Sequence, residues 1–491
     1  MKFIKKNWLL LLILVVGAFL RFYKIGEYMT FLGDEGRDAI VVRNLLVKLD
    51  PILIGPGTSI GSMYLGPLYY YFMAPFLLLF NFSPIGPAVG VALMGVATIY
   101  LVYITGRDWF PSTSSGPSFV GLVAAGLYAI SPTVIIYSRS SWNPNIMPFF
   151  ALLSVYSIWK VYEEKKYKWL MVSAISLAFV LQSHYLGILL APVLFIFWLL
   201  GKPKHYIRYT IYSALIFLFL MSPLALFDFR HDYLNSKAFY KFITVRQETV
   251  SIRPWTAIPK SYPIFEQINS SLLTAKQEPA GQIVSLFMIF FLVIIFLRDR
   301  KLFTNHFSLI TLWLVTATIG FGIYKQHIYD HYFGFVFAVP FLLTAVFVQK
   351  IYVSKYKIIG LSIVLILVCI NLFNNPFRFS PNKQMQRAQN VASEIIRQSA
   401  EKDFNIAVVA ERNYEDGYQY FLEKENTKVV EIDAQRPETV TDQLFVICEN
   451  PREKCDPTHS SKAEVANFGW SKVDMEWEID GVIIYKLIHT R

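Results

Sequence analysis

Asp34 and Glu35 stand side by side in the run Phe31-Leu32-Gly33-Asp34-Glu35-Gly36-Arg37-Asp38, just after the first apolar stretch of the chain. Charges near hydrocarbon carry a desolvation cost, so an acidic pair kept at a membrane boundary points to binding or catalysis there. The same pair also suits the first turn of a helix over Ala39–Leu46, where carboxylates favour the helix dipole. Gly33 and Gly36 flank it and allow a backbone or a substrate to approach closely. A second run, Gly66-Pro67-Leu68-Tyr69-Tyr70-Tyr71, places aromatic hydroxyls at the same boundary. Tyr64, Tyr69 and Tyr70 can hydrogen-bond a sugar or phosphate while their rings line a lipid groove, or can belong to an interfacial aromatic belt.

A third run, Tyr137-Ser138-Arg139-Ser140-Ser141-Trp142-Asn143-Pro144-Asn145, sets a guanidinium among hydroxyls and amides. Arg139 there is either a bidentate phosphate clamp or a snorkelling boundary arginine. His184 follows Gln182 at another boundary, and His327 and His331 flank Asp330. Two histidines four apart can ligate a metal on one helix face, and satisfied interfacial histidines are the plainer reading. Arg230, His231 and Asp232 open a long polar loop. No P-loop, dinucleotide fingerprint or nucleophile elbow occurs in the chain.

These residues need elements to hold them, and composition says what kind. The 491 residues are 54% hydrophobic and 16% charged, with a mean hydropathy of +0.42. Soluble proteins carry about 25% charged residues, so most of this chain belongs in lipid. The net charge of +11 comes mainly from short loops between apolar runs, where it orients a membrane protein and meets anionic headgroups rather than nucleic acid. Apolar runs long enough to span lie near 8–25, 86–106, 118–137, 146–162, 168–183, 185–200, 207–227, 281–297, 307–324, 333–349 and 357–373. The short run 67–80 reads as a surface or re-entrant helix. The first run has a basic start like a signal peptide, but no small-residue cleavage site follows it, so it reads as an uncleaved span.

With 67–80 on the outer surface, the basic loops Lys2/Lys5/Lys6, Arg107, Lys160/Lys165/Lys166/Lys168, Lys202/Lys204/Arg208, Arg298/Arg300/Lys301 and Lys350/Lys355/Lys357 all fall inside. The expectation is about eleven spans in the cell membrane, N-terminus cytoplasmic. Segments 26–85 and 228–280, the 138–145 turn and His184 then face out. Pro111–Pro117 is the nearest approach to low complexity.

Residues 1–379 form the transmembrane part and 380–491 a small extracytoplasmic α/β domain. Within the latter, 384–400 and 412–422 read as helices, and 405–410, 428–432, 444–448 and 482–487 as strands. Cys448 and Cys455 flank a Pro-containing loop there, as a disulfide in an oxidising compartment or as unlinked thiols.

Taken in order, the three runs resemble the GT-C membrane glycosyltransferases, specifically the dolichyl-phosphate-mannose–protein mannosyltransferases and the bacterial lipid A aminoarabinose transferases. Asp34-Glu35 matches the acidic pair of their first outer loop. Gly66-Pro67-Leu68-Tyr69-Tyr70-Tyr71 resembles their Pro-Pro-Leu element, with Leu65-Gly66 where a basic residue and a first Pro are usual. Asn143-Pro144 stands where an acidic residue is commoner. The resemblance covers roughly residues 8–350.

It implies an inverting transfer of a sugar from a polyprenyl-phosphate donor to a lipid, glycan or protein acceptor on the outer face. Asp34 would be the base and Glu35 its support or an acceptor ligand. Arg139 would be the first cation for the leaving phosphate, with Arg37 and Arg230 behind it, and Tyr69, Tyr70, Asn143, His184 and His331 would contact substrate. A divalent metal is compatible with the family, but this chain lacks the second carboxylate of a family-type ligand set. A transporter or flippase of a lipid-linked or polyanionic substrate is the alternative. Its polar residues would collect at the midplane, whereas here they gather at one face. A sensor reading leaves Asp34-Glu35 unexplained.

Overall fold

The computed structural model describes residues 2–58, 63–111, 117–244, 249–251, 253–298 and 306–490. Residues 112–116 of the Pro111–Pro117 loop, and Arg300 and Lys301 of the basic loops, lie outside the described residues. The chain opens with α1 (Lys2–Phe22), α2 (Ile25–Tyr28), α3 (Gly33–Lys48), α4 (Leu68–Leu79) and α5 (Ile85–Trp109). Then come α6 (Phe119–Ile130), α7 (Pro132–Tyr137), α8 (Met147–Tyr162), α9 (Trp169–Ser183), α10 (Ala191–Leu200), α11 (Ile207–Arg230) and α12 (Leu234–Thr244). The helical part closes with α13 (Ile258–Leu273), α14 (Glu278–Arg298), α15 (His306–Ile323), α16 (Ala338–Tyr352) and α17 (Lys357–Phe373).

Each apolar run read from the sequence coincides with one of these helices or with a helix pair. Helix length alone does not reach eleven spans. Among the described residues four helices, α5, α11, α14 and α15, are long and apolar enough to cross a membrane by themselves. The 330–336 turn and α16 make a fifth, bent by 61°. The 118–137 run breaks at Pro132, the missing N–H and locked φ of which start a new helix. The hydroxyls at this break serve the end of α13: Ser131 and Thr133 donate to the last-turn carbonyls of Leu272 (2.7 Å) and Ser271 (2.6 Å). Helix α4, at 12 residues, is roughly 18 Å long against a hydrocarbon core of about 30 Å. It buries Tyr69, Tyr70, Met73 and Leu77 and leaves Leu78 and Leu79 exposed. One continuous apolar core runs through α5, α6, α8, α13, α15 and α16 and includes the fully buried Trp109, Trp313 and Phe341.

The last 110 or so residues form the α/β domain expected of a mixed sequence of this length. Helices α18 (Gln384–Ser399), α19 (Asp416–Lys424) and α20 (Ala463–Phe468) accompany a four-stranded sheet. Its strands β1 (Asn405–Val409), β2 (Gln443–Cys448), β3 (Ser471–Ile479) and β4 (Val482–His489) run in the order β1-β2-β4-β3. β1 and β2 are parallel, and both β2–β4 and β3–β4 are antiparallel.

Three expectations change here. Lys428–Ile432 is not a strand; it meets the sheet through a single bridge, Phe404 to Val429. β3 is an edge strand whose alternating Lys472, Asp474, Glu476 and Glu478 face away from the core, which hid it in a reading based on apolar runs. The 412–422 helix starts only at Asp416, because Arg412–Glu415 form a loop. Cys448 and Cys455 are joined by a disulfide, with Cα atoms 6.1 Å apart. The domain shares its main core with the N-terminal segment: Ile25, Met29, Phe31 and Ala39 pack with Ala388, Val391, Tyr420 and Phe421.

Candidate active site

Helix α3 begins without a polar residue at its N-cap, which is Leu32, a residue type that cannot satisfy the free N–H groups of a first turn. Three other side chains do so. The Leu32 N–H donates to Glu35 Oε2 (3.0 Å), the Phe31 N–H to Gln384 Oε1 (3.1 Å) and the Gly33 N–H to Asn413 Oδ1 (2.9 Å). Two of the three come from the C-terminal domain. The glycines flanking the acidic pair explain how it comes so near. A Cβ on Gly33 would lie 2.5 Å or less from the Tyr414 ring, and one on Gly36 would lie 2.4 Å from the Asp416 carbonyl. The close approach anticipated at these glycines is therefore made by the protein's own last domain.

The docked loop carries Tyr414 to Asp34. The Tyr414 hydroxyl donates a short hydrogen bond to Asp34 Oδ1, and Arg37 Nη1 donates to the same oxygen at 2.9 Å. Arg37 Nη1 also lies 3.4 Å from the Tyr414 hydroxyl. Its Nη2 and Nε hold Asp38 Oδ1 at 2.8 and 3.1 Å, where the Tyr70 hydroxyl joins them at 2.9 Å. Asp34 remains 43% exposed on its side chain, whereas Glu35 and Asp38 are buried. Asp38 Oδ2 has no hydrogen-bond partner among the described residues.

Burial, opposed by the Leu32 N–H and reinforced by Asp34, pushes the Glu35 carboxyl up to about 7. Burial also raises Asp38, to about 6, against the pull of Arg37. Burial and the Glu415 charge raise Asp416 to about 7. Tyr414 is raised by burial and by its bond to Asp34, so it stays a protonated donor.

Asp34 and Glu35 line a cavity of about 300 Å³, closed by Tyr137, Ser140, Trp142 and Asn145 of the third run and by Arg412 and Tyr414 of the C-terminal domain. Arg412 is exposed, and among the described residues no ion pair engages it. A larger polar cavity of about 540 Å³ shares Tyr137 as a wall and contains Gln267, Lys276, His327 and Asp330. Lys276 pairs with Asp330 at 2.6 Å.

The remaining sequence candidates fall into three groups. Arg37 is at the site. Tyr69, Tyr70, Asn143, His184 and His331 frame it without lining the smaller cavity. The Tyr69 hydroxyl bonds Ser141 Oγ at 2.8 Å, and Asn143 Nδ2 donates to the Ser183 carbonyl at 2.6 Å. His184 Nδ1 accepts from the Leu186 N–H, and its ring lies 6.1 Å from that of His331, which packs 4.4 Å from Trp142.

Arg139 corrects the phosphate-clamp reading. Its guanidinium is buried, donates to the Leu20 and Tyr23 carbonyls at 2.8 and 2.6 Å, and lies over the Tyr28 and Phe377 rings. It ties the end of α1 to the turn after α7. Arg230 ends α11 exposed to solvent and does not line the cavity. Among the described residues no cluster of three metal-ligating side chains forms. Tyr414 and Arg412 went unread because they lie far from the acidic pair in sequence, in a loop with no motif of its own.

Comparison with known proteins gives one partial family match and a shared fold. Residues 65–227 match the model of the dolichyl-phosphate-mannose-protein mannosyltransferase family. The crystal structure of ArnT from Cupriavidus metallidurans bound to undecaprenyl phosphate superposes with a TM-score of 0.64 at 11% identity, covering 98% of both chains. The chain therefore shares the GT-C fold of ArnT. The apo state of the same ArnT gives a TM-score of 0.62 at 12% identity, over 98% of each chain. An uncharacterized protein of Aquifex aeolicus is 24% identical over 385 residues, 75% of this chain and 70% of its own. The GT-C match with ArnT runs through the C-terminal domain as well as the bundle, and the protein is a multi-pass membrane protein. The matched mannosyltransferase segment begins at Leu65, beyond Asp34, so the role of the carboxylate has to be argued from the geometry of this GT-C site.

Proposed function

We propose that the protein is a membrane glycosyltransferase that moves a sugar from a polyprenyl-phosphate donor to a hydroxyl acceptor, inverting at the anomeric carbon. The observation that carries this reading is Asp34 itself. It is a part-exposed carboxylate with one oxygen held by two donors, at the wall of a cavity built from three outer segments. The family match and the fold of ArnT support a lipid-linked donor.

In the proposed reaction Asp34 accepts the acceptor's hydroxyl proton as that oxygen bonds to the anomeric carbon. The bond from that carbon to the phosphate oxygen breaks, and its electron pair leaves with the polyprenyl phosphate. The departing phosphate needs cationic partners. Arg37, already beside the base, and Arg412, unpaired at the cavity wall, supply them in place of Arg139. Glu35 is fixed by its cap to α3 and acts as support rather than as a second base. The site faces the extracytoplasmic side in this reading, with the N-terminus inside, as the basic loops require.

The test is release of polyprenyl phosphate from a labelled polyprenyl-phosphate sugar by the purified protein, with and without Asp34→Asn. Wild-type turnover in that variant would remove Asp34 from the mechanism. Movement of intact donor across a liposome without cleavage would establish the transporter instead.

A further inference from the structure

Among the described residues the C-terminal domain hydrogen-bonds Asp34 through one hydroxyl, that of Tyr414. Asp34 Oδ1 receives both the Tyr414 hydroxyl and Arg37 Nη1. Among the described residues no hydrogen bond reaches Oδ2. A carboxylate gripped by one oxygen cannot rotate freely, and its second oxygen keeps a fixed direction. Arg37 divides its guanidinium between two carboxylates, Nη2 and Nε on Asp38 and Nη1 on Asp34, so its aim is set by Asp38.

Tyr414 is anchored better. Its ring lies against Gly33, which has no Cβ to displace it. Its backbone N–H donates to Asn413 Oδ1 at 2.9 Å, the oxygen that also takes the Gly33 N–H. Asn413 is in turn fixed through its Nδ2 to Glu449 Oε1 at 2.6 Å, and Glu449 accepts from the Tyr418 hydroxyl at 2.6 Å. A chain of polar contacts thus runs from the C-terminal sheet to the catalytic candidate.

We propose that Tyr414 is a positioning residue for transfer: its hydroxyl fixes Asp34 Oδ1 so that Oδ2 faces the acceptor, which makes the C-terminal domain a working part of the site. The proposal rests on Asp34 being the base. The ring and the hydroxyl of Tyr414 have separable duties, the ring packing the domain on Gly33 and the hydroxyl orienting the carboxylate.

Tyr414→Phe in the full-length protein keeps the first duty and removes the second. Turnover with a polyprenyl-phosphate sugar is expected to fall about tenfold at unchanged KM for donor, the equivalent of one hydrogen bond to a charged group.

Hydrogen exchange over residues 33–48 should stay at the wild-type level, showing that the domain remains docked. Wild-type turnover in Tyr414→Phe, with Asp34→Asn inactive, would overturn the positioning role and leave the function standing. Wild-type turnover in Asp34→Asn would remove the function first. If exchange over 33–48 rises in Tyr414→Phe along with the loss of turnover, the hydroxyl is structural and the proposal fails.

Discussion

Two clusters of charge sit at opposite ends of the helical bundle, and they are built differently. At the ends of α5 and α8, Asp108 accepts from Arg107 Nε at 2.7 Å, the Tyr156 hydroxyl at 2.5 Å and Lys160 Nζ at 3.4 Å. Glu164 takes Lys160 at 2.5 Å and Lys166 at 2.7 Å. Both carboxylates are satisfied several times over, and three cations face two anions. At the start of α3, two carboxylates, Asp34 and Asp38, share one arginine, Asp38 keeps a buried oxygen without a partner among the described residues, and Asp34 opens onto a cavity. A network that only holds helices together closes its valences. The one at α3 leaves an acceptor open on Asp34, which in the proposed reaction the incoming hydroxyl fills.

The largest effect separating the two clusters should come from Asp34→Asn. An amide keeps the size of the side chain but cannot take the acceptor's proton, and loss of a general base costs about 10²–10⁴ in rate. Measured as turnover per folded molecule, this should leave the unfolding temperature near wild type. Next comes Gly36→Val. With a Cβ 2.4 Å from the Asp416 carbonyl, backbone must move and the loop bearing Tyr414 moves with it. A misplacement of about 1 Å at a reacting group costs roughly 10²-fold. Limited proteolysis between α17 and α18 should report the looser domain, and protection equal to wild type would contradict the docking argument.

The opposite cluster should behave in the opposite sense. Asp108→Asn removes an acceptor from three donors and is expected to cost about 1–3 kcal/mol of stability, read by thermal unfolding, with turnover per folded molecule unchanged. A loss of turnover there at unchanged stability would erase the contrast.

The smallest effect is one of pH. Glu35 and Asp416 both titrate near 7 in the folded chain, raised from 4.5 and 3.8. Acids raised in this way lend stability below their unfolded pKa and lose it as pH rises through the folded one. Exchange at 33–36 and 414–418, corrected for intrinsic rate, should therefore be slower at pH 5 than at pH 8. Glu35→Gln should flatten part of that slope.

The same contrast explains what could be read in advance. The helical bundle was legible because hydropathy acts locally and each apolar run carries its own signal, although the 118–137 run hid its break at Pro132. Asp34-Glu35 was legible because an acidic pair beside a span is costly. Gly33 and Gly36 were legible as points of close approach but not as to what approaches. Arg139 misled because an arginine among hydroxyls looks the same in sequence whether its guanidinium meets a ligand or the carbonyls of Leu20 and Tyr23. Tyr414, Arg412 and Asn413 gave no sign, since nothing local distinguishes a tyrosine that crosses to residue 34 from one that packs at home. β3 was missed because its charged face outweighs its buried one.

The Asn413 contact has a consequence for how the molecule comes into being. Ribosomes make the acidic pair early and the tyrosine that steadies it nearly 400 residues later. A nascent chain that has threaded its bundle into the bilayer, but not yet delivered its last domain, carries Asp34 with the start of α3 unsealed and the carboxylate unsteadied. Competence arrives only when the final segment folds back onto the first. A chain abandoned part-way through synthesis would therefore sit in the membrane without a finished site.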